Sequence, residues 1–97
     1  LLVMKLKMSG IDGTRNILSA TAKIRVEQKM ISHVVIRPVS DGYVIEFELN
    51  GKPVEWNGES LVLCSARNPY KPRVFKSIDG ATSESKRIGV KGIRFDF

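Results

Sequence analysis

The stretch ARNPYKPRVFK, residues 66–76, sets the cations Arg67, Lys71, Arg73 and Lys76 around two rings, Tyr70 and Phe75. Pro69 and Pro72 stiffen it, because each ring fixes φ and removes a backbone donor. Guanidinium and ammonium groups neutralise phosphates whatever the base sequence, and an exposed ring stacks on an unpaired base. The chemistry on offer is recognition of a polyanion, DNA or RNA. Lys86 and Arg87, further along the chain, extend the candidate nucleic-acid-binding set to Arg67, Tyr70, Lys71, Arg73, Lys76, Lys86 and Arg87. The competing reading is a long connection between strands, with Tyr70 packed on its own prolines.

Catalytic chemistry has less to work with. The glycines at 80, 89 and 92 are wrongly spaced for a phosphate-cradling GxGxxG turn. Glu46 and Glu48 share a strand face, which an exposed acidic surface explains better than acid–base work. The single histidine, His33, leaves no multi-histidine metal site and only one possible centre for a Ser–His–Asp triad. The single cysteine, Cys64, lies in the apolar run LVLCSA, excludes an internal disulfide, and reads as a small buried hydrophobe. A reducing cytoplasm suits that cysteine usage. The expectation is a protein without enzymatic activity, metal or cofactor.

Charge is unevenly distributed. Residues 1–37 carry seven basic side chains against Asp12 and Glu27. Residues 38–59 reverse the sign, with Lys52 against Asp41, Glu46, Glu48, Glu55 and Glu59. Residues 60–77 hold Arg67, Lys71, Arg73 and Lys76 with no acid, and the whole chain has a net charge of +6. Such asymmetry favours oriented binding to a polyanion, or to a partner with complementary patches.

These residues need elements to hold them. The 97-residue length suits one domain spanning 1–97. Lys5 and Lys7 interrupt LLVMKLKM, leaving it short of a membrane span or a secretory apolar region. Asp41-Gly42, Asn50-Gly51 and Asn57-Gly58 are hairpin dipeptides. Between them Tyr43, Ile45, Phe47 and Leu49 alternate with Glu46 and Glu48, as a half-buried strand requires. Val34 and Ile36 share that apolar face across the first turn. SLVLCSAR reads as a central strand. Trp56, at a strand end, suits either a core cap or an exposed contact.

Residues 14–31 fit two templates. Leu18, Ala20, Ala22, Ile24 and Val26 alternate as in a strand, whereas Ile17, Ala20, Ile24 and Ile31 share a helical side and the alanines favour it. The strand is the preferred reading, with a further hairpin at Asp12-Gly13. At the other end, Ser77 can cap a helix over 77–88, Asp79 suits its first turn, and Lys86 and Arg87 suit its last. Gly89 stops it. Ile93, Phe95 and Phe97 then alternate as a closing strand with a buried apolar side. The expected fold is α+β: a mostly antiparallel meander of five to seven strands, one C-terminal helix on the sheet, and a final strand.

The C-terminal stretch PRVFKSIDGATSESKRIGVKGIRFD resembles the tail of small plasmid-borne accessory proteins, including partition-associated ones. Arg73, Phe75, Lys76, Ser77, Asp79, Ile88, Gly89, Ile93 and Phe95 carry the resemblance, which covers about a quarter of the chain. Gly80 and the run TSES stand where such proteins tend to have alanine and leucine. The resemblance implies a cytoplasmic accessory of plasmid maintenance whose partner is DNA or a partition protein. The alternative is a protein–protein interaction module or homo-oligomer without nucleic-acid binding.

Overall fold

The computed structural model describes residues 14–97; the stretch LLVMKLKM and the hairpin expected at Asp12-Gly13 lie outside the described residues. Strands β2 (His33–Val39) and β3 (Gly42–Leu49) form a long central hairpin, in register from His33–Glu48 to Val39–Gly42. Asn50-Gly51 turns β3 back into β4 (Lys52–Pro53), and Asn57-Gly58 joins β5 (Glu55–Trp56) to β6 (Glu59–Ser60). Asn50 and Asn57 take positive φ, 51° and 52°, as the first position of a two-residue type I′ turn demands. At the first hairpin the turn falls one residue earlier than the dipeptide suggests, on Ser40 and Asp41, because Gly42 already pairs with Val39. Gly42 serves a different purpose. Its φ is 152°, and a Cβ there would collide with the Phe75 carbonyl. The space lets Tyr43 and Phe75 exchange two backbone hydrogen bonds, 2.8 and 2.7 Å long.

Strand β7 (Val62–Cys64) pairs antiparallel with β3, and β1 (Asn16–Leu18) runs parallel to β7 at one sheet edge. Strand β8 (Gly92–Phe95) runs parallel to β2 at the other, giving the order β1-β7-β3-β2-β8 with β4 paired to β3. The fold is α+β with a mostly antiparallel sheet, a C-terminal helix and a final strand. Helix α1 (Ser19–Glu27) leads from β1 to β2, and α2 (Ile78–Ile88) leads from β7 to β8. Both connections join parallel strands and cross two intervening strands in the same direction. A common handedness for such crossovers sends both helices to one face. There they pack on each other and on the sheet.

Helix α1 corrects the preferred strand reading of residues 14–31; only Asn16–Leu18 is strand. Packing decides the matter. A strand would have needed a sheet face for five apolar side chains, whereas the helix buries only Ala22 fully and leaves Ile24 47% exposed. The usual signals at the helix start are missing as well. Leu18 at the N-cap offers no side-chain acceptor, and the first turn has no acid. The left-handed residue after the helix is Lys29, at φ 63°, where a glycine is the commoner choice.

Helix α2 follows its sequence signals closely. Ser77 Oγ accepts from the Gly80 N–H at 3.0 Å, and Gly89 closes the helix in the left-handed region at φ 93°. Ala81, Ser85 and Ile88 are buried and Ile78 half-buried. Ala81 and Ile88 complete a core of Ile17, Ile31, Val34, Ile36, Ile45, Phe47, Leu61, Leu63 and Phe75, against which Trp56 and Ile93 pack from the rim. The closing strand departs from expectation. Phe95 is 45% exposed and Phe97 69% exposed, so only Ile93 turns partly inward. Strand β8 is an edge strand, and α2 sits over β2 and β3 instead of reaching out to cover it. Among the described residues no helix is long and apolar enough to cross a membrane.

Candidate nucleic-acid interface

Glu84 organises the helical side. Three residues after Ala81 and four before Ile88, it falls on the buried stripe of α2 and is itself buried. Its carboxylate accepts a 2.5 Å hydrogen bond from Ser19 Oγ, at the start of α1, and a 3.3 Å bond from Arg87, one helical turn away. Arg73 Nη1 approaches to 4.0 Å. The Arg73 backbone N–H is held by the Leu63 carbonyl at 2.8 Å, and its guanidinium lies 4.4 Å from the centre of the Phe75 ring. A groove of about 310 Å³ opens between the two helices, with Lys23 and Arg87 on its walls and Glu84 beneath.

The seven candidate residues are therefore not gathered at one point. Arg73 and Arg87 meet at Glu84, with the Arg87 side chain 80% exposed. Lys86 is exposed on the last turn of α2, while Lys76 precedes the cap at the opposite end. An 11-residue helix separates these ends by roughly 16 Å at 1.5 Å per residue. Arg67, Tyr70 and Lys71 are exposed on the connection between β7 and α2, where Asn68 N–H reaches Ser65 Oγ at 3.3 Å. Among the described residues Arg67, Lys71, Lys76, Lys86 and Lys23 form no ion pair. Lys23 and Glu84 did not stand out in the sequence. The spacing of Glu84 on the Ala81–Ile88 stripe was the signal for it, whereas Lys23 became visible only once α1 was a helix.

The other face of the sheet carries the opposite arrangement. Arg15 and Arg37 flank Glu46 at 3.7 and 3.2 Å. Arg37 also pairs with Asp96, and Arg94 reaches Glu48 at 2.6 Å. The hydrogen bond to Glu48, reinforced by that carboxylate's charge, holds Arg94 protonated even more firmly than usual. Three arginines here meet three carboxylates, so the ladder is balanced. Val35, Val44, Val62 and Cys64 lie between these pairs and are buried. Burial pushes the Cys64 thiol above its ordinary 9.0, outweighing a backbone hydrogen bond that pulls it down. His33 ends this face, with its Nδ1 2.7 Å from Ser32 Oγ. Among the described residues no three His, Cys, Asp or Glu side chains gather as a metal site.

Compared with protein-family models, curated proteins and solved structures, the chain matches none of them.

Proposed function

We propose that the chain is a small non-enzymatic nucleic-acid-binding protein whose contact surface is α1, α2 and the connection over residues 65–76. One observation carries this reading: the excess positive charge is segregated. Lys23, Arg25, Arg67, Lys71, Arg73, Lys76, Lys86 and Arg87 are carried by these three segments, against Glu27, Asp79 and Glu84. The opposite sheet face is neutral by pairing. A surface of this kind attracts a phosphate backbone without reading sequence, and exposed Tyr70 offers a ring beside it. The resemblance of the C-terminal stretch to plasmid accessory proteins fits a cytoplasmic role in plasmid maintenance, with DNA the favoured ligand and a partition protein a further partner.

Fluorescence anisotropy with single- and double-stranded probes at several salt concentrations tests the proposal. Affinity is expected to fall steeply with salt, by a log–log slope of about −0.7 to −0.9 per phosphate contact. Replacing Lys71 and Lys76 together with alanine weakens binding to all sequences alike and makes the slope shallower by roughly one to two units. Tyr70→Ala weakens the single-stranded complex more than the duplex one. A folded protein that binds neither probe at low salt ends the proposal.

A further inference from the structure

Strand β8 leaves its outer edge without a strand partner among the described residues. Its inner edge is paired with β2, and the ladder continues past the strand through the Asp96 N–H, which donates to the Ile36 carbonyl at 3.0 Å. Backbone groups in a strand alternate sides. If Asp96 and Arg94 direct their amides inward, then Ile93, Phe95 and Phe97 present theirs outward. Sheet edges of this sort are usually blunted by lysine, proline or a bulge. Here the exposed edge offers two large rings on one face and one charge of each sign on the other. The Phe95 and Phe97 rings lie 5.5 Å apart centre to centre, and the Tyr43 ring lies tilted against Phe97 at 5.8 Å.

The sequence IRFDF is self-complementary when read against its own reverse. In an antiparallel pair centred on Phe95, Phe95 faces its own copy, Ile93 faces Phe97, and Arg94 faces Asp96 twice. The outward-pointing residues fall at the hydrogen-bonded positions. Arg94 and Asp96 fall at the non-hydrogen-bonded ones, where side chains come closest. The two charge pairs join the existing ladder, since Arg94 already holds Glu48 and Asp96 already holds Arg37. Parallel pairing would instead set like charges side by side. We infer that β8 is the site at which two copies of this chain associate, antiparallel about a two-fold axis at Phe95, into one continuous sheet. The axis stands perpendicular to the sheet, so both helical layers lie on the same side. This inference is independent of any ligand.

Sedimentation velocity and cysteine cross-linking test it on the whole chain. The protein is expected at twice its 10.8 kDa chain mass. Phe95→Lys should return it to the single-chain mass with an unchanged circular dichroism spectrum. The register gives a sharper readout, because Cys64 is buried and silent. Phe95→Cys should form a disulfide with its own copy under mild oxidation, as Cα separations near 5.5 Å permit. Arg94→Cys and Asp96→Cys should not cross-link separately but should when the two variants are mixed. A single-chain mass at all accessible concentrations overturns the inference. So does a dimer that survives Phe95→Lys, or a Phe95→Cys protein that stays reduced while remaining dimeric.

Discussion

On the helical side of the sheet, Val34, Ile36, Ile45, Phe47 and Leu63 are closed over by α1 and α2; on the other side, Val35, Val44 and Val62 lie among Arg15, Arg37, Arg94, Glu46 and Glu48. Both faces come from the same strands and the same alternation. On the first face, apolar volume is removed from water by more apolar volume. On the second, β-branched side chains are interleaved with opposite charges that satisfy one another across neighbouring strands. The first arrangement is insensitive to ionic conditions. The second is not, because its pairs keep one partner in contact with solvent. The comparison also shows where charge is left over: the paired face has no surplus, whereas the two helices with the connection over residues 65–76 do.

The contrast can be broken most severely from inside the helical side. Phe47→Ala removes a ring that is 1% exposed, and it is expected to lower unfolding free energy by about 3–5 kcal/mol in urea titrations at any salt. Its neighbour in sequence tests the other face. Glu48→Gln keeps the shape but removes the partner of Arg94, and its penalty should be a fraction of the Phe47→Ala effect. That penalty should shrink as salt is added, whereas an equal loss at low and high salt would mean that packing, not charge, holds this face. The smallest expected effect is on Cys64. A thiol whose pKa is raised in the folded state favours folding below its ordinary 9.0, and that contribution is lost as pH rises beyond it. Thiol-labelling rates at neutral pH should follow global unfolding, and rapid labelling of the folded chain would show the face to be open.

Elements with local punctuation were legible in the sequence. Asn50-Gly51 and Asn57-Gly58 set their turns by backbone conformation alone, and Ser77, Lys86, Arg87 and Gly89 framed α2 before any packing was known. Helix α1 was legible only as the second of two templates, because its boundaries rest on tertiary contacts. Ser19 donates to Glu84 from a distant helix, and Lys29 occupies a left-handed position without a glycine to announce it. The exposure of Phe95 and Phe97 was hidden for a related reason: alternation reveals which residues share a side, not whether anything covers it. Of the candidate interface, the cationic stretch was plain in the sequence. Its division between a loop, two helix ends and the Glu84 contact depended on the fold.

The interleaved strand order has a consequence for how this chain reaches its fold. The β2–β3 hairpin is local and needs only its turn to form. Each flanking strand, however, pairs with a segment about half the chain away: β1 with β7 and β8 with β2. The path through α1 and the path through α2 overlap, so no cut in the sequence yields two pieces that each contain a complete parallel pair. Each edge strand is secured only after the loop-closure entropy of its own long connection has been met. The sheet should therefore form and melt in a single cooperative step, the hairpin arising early and the edges last, with no stable half-molecule along the way.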